Sequence, residues 1–362
     1  MQPFTIAVPE TTLDDLRRRL ANTRWPDDGA GWEYGTALSY MKDLARYWEH
    51  SYDWRAREAE LNRFAHFMAE IGGTGVHFVH ERGRGPDPVP LLLLHGWPDS
   101  FYRYHRVIPL LTDSFDVVVP SIPGHGFSDR KAMTTDEAAD LFAELMTDVL
   151  KYPKFIAAGG DAGTLIAQSL AERHPDALLG IHLTDVGYPD GSTDFSALTE
   201  PELAFANYIQ EWWMNEGAFN MVQSTKPQSL AYGLADSPAG LAAWIMSFMV
   251  SGATGEEVEA RIGRDDLLTN ITIYWVTETI ASSVRRYYLD THAPTGPWRR
   301  TPVPAAVAHP PLDAPLPREW AERRVNLVRF TDLARGGHFA AWEEPELYAE
   351  DLRAFAKELQ KL

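Results

Sequence analysis

The sequence predicts an α/β fold. A mostly parallel sheet is covered by helices, a helical cap is inserted into it, and an N-terminal segment wraps around it. Three observations carry this reading. Short apolar runs alternate with helical patterns from residue 89 to residue 183, as crossovers between parallel strands require. The stretch after residue 190 then holds helical patterns with no convincing strand. Strand patterns return at Val303 to Ala308 and Val325 to Phe330, ahead of a last helix at Pro345 to Lys357. The expected organisation is a wrapping segment over 1-63, a sheet domain over 64-189 and 298-362, and a cap over 190-297.

Each element has its own signal. Thr11-Thr12-Leu13-Asp14-Asp15-Leu16 is a capped helix start, and Met41 to Trp48 keeps a helical pattern. Phe67 to Ile71 and Val76 to Glu81 alternate around Gly72-Gly73 and predict a hairpin. Val89 to Leu94 is a short buried strand ending at His95-Gly96-Trp97-Pro98. Phe115 to Pro120 is the next, ending at Pro123-Gly124-His125-Gly126. A helix over Asp136 to Leu150 leads to a strand at Lys154 to Ala158, a glycine-rich turn, and a helix over Thr164 to Arg173. Leu178 to Leu183 is a further strand. In the cap, Pro201 to Met214, Gly240 to Met249 and Asp265 to Tyr288 read as helices, and a proline-rich stretch follows from Pro294 to Pro317.

Composition excludes several classes. The 362 residues are 45% hydrophobic and 23% charged, enough for a substantial core. A net charge of −18 opposes binding to nucleic acid or an anionic membrane surface. With no cysteine there are no disulfides, no thiol catalysis and no Cys-based metal site. Met1-Gln2-Pro3-Phe4-Thr5 lacks the basic and apolar runs of a signal peptide, and no stretch approaches 18 apolar residues. A cytoplasmic protein without a membrane anchor is expected; a homodimer is left open.

The turn Gly159-Gly160-Asp161-Ala162-Gly163 carries the most chemical information. Strand, Gly-x-Asp-x-Gly and helix form the nucleophile elbow of an α/β-hydrolase, with Asp in place of the more usual Ser. A serine attacking a saturated carbon would form an ether, which water cannot easily cut. An aspartate forms an ester that water can open at the carboxyl carbon. Asp161 therefore points to an electrophilic sp3 carbon, such as an epoxide or an alkyl halide. The competing reading is a helix N-cap, for which Asp is also favoured. His338, in Arg335-Gly336-Gly337-His338-Phe339 after the last strand, stands where this fold places its base. Asp313, Glu319 and Glu322 lie between the last two strands; Asp313 has a proline frame, whereas the two glutamates suit the outer face of a short helix. The N–H groups of Ala162 and Trp97 are the candidate oxyanion donors, with a cis peptide expected before Pro98. His95 reads as structural.

These residues together resemble the microsomal-type epoxide hydrolases, an α/β-hydrolase family that includes the insect juvenile hormone epoxide hydrolases. Tyr52-Asp53-Trp54-Arg55, His95-Gly96-Trp97-Pro98, Gly159-Gly160-Asp161, Gln223-Ser224-Thr225-Lys226-Pro227-Gln228 and Asp236-Ser237-Pro238 are similar to the family's motifs. The run from Arg335 to Glu346 is the most specific. The resemblance implies that Asp161 is the nucleophile, His338 the base, Asp313 its acid, and Tyr287, in Ser282-Ser283-Val284-Arg285-Arg286-Tyr287, a hydrogen-bond donor to the epoxide oxygen. It implies a small-molecule apolar epoxide and water as partners, and no metal or organic cofactor.

Three positions depart from the family pattern. Phe219 stands where a second tyrosine is usual, so either Tyr287 acts alone, or Tyr208, Tyr188 or the substrate itself supplies a second donor, or the activity has drifted. Ala162 replaces a Trp after the nucleophile and opens space for a bulkier substrate. Glu278 replaces a small residue and is either a new acid facing the pocket or a solvated helix position. Trp97, Phe219 and Tyr208 are the expected pocket residues, with Trp212 and Trp213 as further cap aromatics. A haloalkane dehalogenase is the competing activity, although Ala162 cannot bind halide as a Trp there would. A drifted relative with a binding or cyclase-like role is the third reading.

Overall fold

The computed structural model describes residues 1–29, 31–252, 257–293 and 300–361. Its centre is a nine-stranded sheet: β1 (Gln2–Pro3), β2 (His66–Ile71), β3 (Thr74–Glu81), β4 (Val89–Leu94), β5 (Phe115–Pro120), β6 (Phe155–Gly159), β7 (Leu178–Leu183), β8 (Pro304–His309) and β9 (Asn326–Asp332). They lie in the order β1-β2-β3-β5-β4-β6-β7-β8-β9. The pairings among β1, β2, β3 and β5 are antiparallel, and all those from β5 through β4 to β9 are parallel. This is an α/β-hydrolase fold. Strands β4 to β8 are almost wholly apolar because helices cover both faces. The two-residue β1 has too few residues to leave a periodic signal, and it was not expected from the sequence.

The order of strands places the functional loops. The chain moves outward from β4 to β5, then crosses back to β6 on the other side of β4. A cleft opens at such a switch point, beyond the carboxyl ends of the strands. Leu94 pairs with Gly159, Gly159 with Leu183, and Leu183 with Val307, so four strands end side by side. The turns at Trp97, Asp161, Asp185 and Asp313 leave from that edge.

Seven α-helices lie between β7 and β8 among the described residues. The expected continuous helix over Asp265 to Tyr288 is two helices, Arg264–Thr277 and Ile280–His292. Glu278 breaks it with a left-handed backbone, φ 55° and ψ 33°. Neither Gly nor Pro marks the break; the apolar helical pattern runs straight through it, so the sequence carries no stop signal there. The helix over Asp136 to Leu150 ends instead in a π-turn at Leu145–Val149, and the one expected from Thr164 begins at Ala162. The Ala218–Thr225 and Pro227–Asp236 helices were not separately expected. The expected cap boundary at 297 lies outside the described residues.

The N-terminal helices Leu38–His50 and Trp54–Leu61 pack onto the Arg264–Thr277 helix. Trp48 Nε1 donates to Thr272 Oγ1 (3.0 Å), Tyr47 Oη donates to Asp265 (2.8 Å), and Tyr52 Oη meets Thr269 Oγ1 at 3.0 Å. Glu58, buried, accepts Val8 N–H (2.7 Å) and Trp54 Nε1–H (3.1 Å), pinning the irregular segment after β1 to the Trp54–Leu61 helix.

Candidate active site

The elbow is a tight strand-to-helix turn. Asp161 has φ 55° and ψ −127°, a conformation that costs an L-residue about 1–3 kcal/mol and persists only where its surroundings impose it. Close packing explains the glycines. A Cβ at Gly163 would sit 2.1 Å from the Leu94 carbonyl oxygen, and one at Gly96 would sit 2.3 Å from Asp161 Oδ1. The turn thus lets β4, β6 and the Ala162–Arg173 helix converge on one carboxylate.

That carboxylate is held asymmetrically. Its Oδ1 accepts the backbone N–H of Trp97 at 2.9 Å and that of Ala162 at 2.6 Å. Its Oδ2 faces His338 Nε2 at 3.4 Å. Asp161 is therefore both N-cap of its helix and a half-buried group at a cavity wall; the two sequence readings describe one arrangement. The Trp97–Pro98 peptide is cis, as expected.

His338 Nδ1 lies 3.2 Å from Asp313 Oδ2, while Nε2 makes no hydrogen bond among the described residues. Asp313 Oδ1 accepts Ala314 N–H at 2.8 Å. Leu312 N–H donates to the Gly336 carbonyl (3.1 Å), stitching the loops after β8 and β9 together. The His338 turn uses Gly336 at φ 104°, and Glu343 accepts the N–H groups of Gly337 (3.0 Å) and Phe339 (3.1 Å). Burial alone would push the imidazole down, but Asp313 and then Asp161 hold it well above its ordinary value. Burial likewise opposes Asp313 ionisation, but His338 overrides it and leaves that carboxyl below its usual range. Glu319 and Glu322 sit on the short Arg318–Arg324 helix, with Glu322 paired to Arg318 at the surface.

The opposite wall comes from the helices after β7. Tyr287, on Ile280–His292, lines the same cavity of about 460 Å³ as Asp161 and His338. Ser282 Oγ donates to the Gly124 carbonyl (2.7 Å), tying this helix to the loop after β5. Burial, then the Asp161 charge, push the Tyr287 phenol far above its ordinary value, so it is a neutral donor. Phe219 stands at the centre of an aromatic wall. It stacks on Trp97 at 5.8 Å and 6°, meets Phe248 at 4.7 Å, and approaches Tyr287, Trp212 and Trp213 at 6.2–6.3 Å. Tyr188 and Tyr208 also line the cavity, Tyr208 being substantially exposed. Ala162 and Leu165 line it as well.

Glu278 is not a pocket acid. It is exposed, stands in the break rather than in a helix, and pairs with Arg130. His95 is buried; its Nε2 accepts Ile122 N–H (3.0 Å), a structural task. Three residues escaped the sequence reading. Asp99 accepts Gly96 N–H (2.7 Å) and pairs with buried Arg103 (2.6 Å), whose Nη2 donates to the His338 carbonyl (2.8 Å). This bridge joins the Trp97 turn to the His338 turn. Asp185 lies on the cavity wall beside Asp161. None of the three stands in a motif with a local chemical signature.

The comparisons agree with this geometry. Residues 1–104 match the family described as epoxide hydrolase N terminus, and residues 89–230 match the alpha/beta hydrolase fold. Epoxide hydrolase 1 of Sus scrofa is 33% identical, with 98% of this chain and 88% of the relative covered. A Stigmatella aurantiaca protein of the same family reaches 38%, over 99% of this chain and 85% of its own length. The crystal structure of juvenile hormone epoxide hydrolase from the silkworm Bombyx mori superposes with a TM-score of 0.90 at 29% identity, over 99% and 95% of the two chains. With two matching family models, a common fold and near-complete coverage, this chain belongs to the epoxide hydrolase family and is a hydrolase.

Proposed function

We propose that the protein opens an apolar epoxide to a vicinal diol through an ester on Asp161. The single observation that carries this is the asymmetry of the Asp161 carboxylate: Oδ1 is held by two N–H donors, while Oδ2 is turned to His338. Oδ2 attacks a ring carbon from the side opposite the C–O bond. The bond breaks, and the alkoxide takes the proton of Tyr287. His338, oriented by Asp313, then removes a proton from water as the water attacks the ester carbon. The charge that develops on Oδ1 falls to the N–H groups of Trp97 and Ala162, donors in place before the reaction. Collapse releases the second diol oxygen, which takes the proton from His338. The Asp161 carboxylic acid returns its proton to the Tyr287 phenolate. Atoms and charges balance, and the new oxygen resides in Asp161.

The aromatic wall around Phe219 supports an apolar, and specifically an aromatic or bulky, epoxide. Phe219 has no hydroxyl, so Tyr287 supplies the epoxide contact, with Tyr188 or Tyr208 as second donor. The helices from residue 190 onward serve as the cap that closes this wall over the sheet edge.

One turnover of an active epoxide in heavy-oxygen water tests the ester. Label must appear in the peptide containing Asp161; label only in the diol would sink the covalent route. A panel of styrene, aliphatic and bulky epoxides with chiral analysis of the diols defines the substrate. Chloride release from haloalkanes with no turnover of any epoxide would replace the reading by a dehalogenase.

A further inference from the structure

Asp185 follows β7 by two residues and takes no part in the steps above, yet its carboxyl group is buried at the centre of the machinery. Its Oδ2 accepts the backbone N–H of Asp161 at 3.2 Å and the hydroxyl of Thr164 at 3.0 Å. Its Oδ1 accepts Gly187 N–H at 3.1 Å. One side chain thus grips the strained residue of the elbow and the first turn of the helix behind it.

The charged surroundings come from four loops and a helix. Asp161 on the elbow, Asp313 in the loop after β8 and His338 in the loop after β9 line the same cavity as Asp185. Tyr188 and Asp190 share its own loop, and Arg324 of the Arg318–Arg324 helix reaches the neighbouring Val186 carbonyl. Burial, then the Asp313 charge, push Asp185 up to about 6, against the pull of His338.

We propose that Asp185 is a positioning residue with two tasks: it clamps the backbone of Asp161, and it acts beside Asp313 as a second carboxylate that sets the proton affinity of His338. The proposal rests on the roles given above to Asp161 and His338. Its logic follows from charge. Once Asp161 is an ester, its negative charge is gone, and the imidazole answers to Asp313 and Asp185. An ionised Asp185 favours the imidazolium. It therefore raises the pH at which His338 becomes free to take a proton from water.

Single-turnover rapid quench on the full chain separates ester formation from ester breakdown. Styrene oxide is the probe, or a bulkier aromatic epoxide where turnover is faster. Asp185→Asn keeps a carbonyl acceptor and removes the charge. It should move the acid limb of ester breakdown down by about one pH unit, while ester formation changes by less than about threefold. Thr164→Val removes one contact of the clamp but no charge. It should slow ester formation by about tenfold and leave the acid limb in place. An unmoved limb in Asp185→Asn overturns the proton-affinity task; unchanged ester formation in Thr164→Val overturns the clamp. Asp185→Ala should show both effects; if it does not fold, the other two variants carry the test. Asp161→Asn separates this proposal from the reading beneath it. If that variant still turns over epoxide, the functional reading fails. If it is dead while Asp185→Asn keeps the parental limb, only the role of Asp185 fails.

Discussion

On the sheet side of the cavity, Asp161, Asp313 and His338 are each tied by hydrogen bonds to backbone groups or to one another, on the turns that follow β6, β8 and β9. On the helical side the wall is aromatic surface, with Tyr287 set among rings that contact one another edge and face. The first wall positions charge, and small displacements there change the reaction. The second excludes water and shapes substrate, and, the Tyr287 hydroxyl apart, it tolerates exchange of one ring for another of similar volume. Phe219 lies on the tolerant side.

The comparison is broken most easily from the sheet side. Asp161→Asn should abolish turnover, by more than about 10⁴-fold, because no nucleophile remains. His338→Gln should form the ester and stall, so that alkylated protein accumulates in mass spectra; steady turnover without accumulation would remove His338 from its role. On the helical side, Tyr287→Phe should cost about 100- to 1000-fold in kcat, the usual loss for one donor to a developing oxyanion. Phe219→Tyr should leave kcat unchanged or raise it; a large fall would show that the aromatic wall itself needs the bare ring.

A smaller effect concerns stability. Burial pushes His66, His77, His80 and His125 down, His80 to about 4. Below the ordinary histidine value of about 6.5 the unfolded chain binds protons that the folded chain refuses. Stability should therefore fall as pH drops from about 6.5 towards 4, visible as a declining Tm; a flat Tm over that window would contradict the burial of these rings. The smallest effect is expected at Glu278→Ala. Its exposed pair with Arg130 should contribute less than about 1 kcal/mol, and kcat should not move.

Legibility in the sequence followed the same division. The elbow, the His95-Gly96-Trp97-Pro98 turn and the His338 turn were readable because each imposes backbone demands that only certain residues meet. Glycines at Gly96 and Gly163 leave room that a Cβ would fill, and Gly336 takes a positive φ. The helix break at Glu278 was unreadable, since no Gly or Pro announces it. The sequence left Glu278 open between a pocket acid and a solvated helix position; the break turns it outward to Arg130.

By itself, the sequence determined the order of strands and helices, the nucleophile-type turn and the identity of the groups that can carry charge, because local backbone geometry and side-chain chemistry are written residue by residue. Only the tertiary structure decided that Asp185 and the Asp99–Arg103 pair stand behind that turn. Only it set Phe219 among five aromatic rings. Those facts depend on which strands end side by side and which helix face turns inward, and such contacts between residues far apart in the chain leave no local pattern to read.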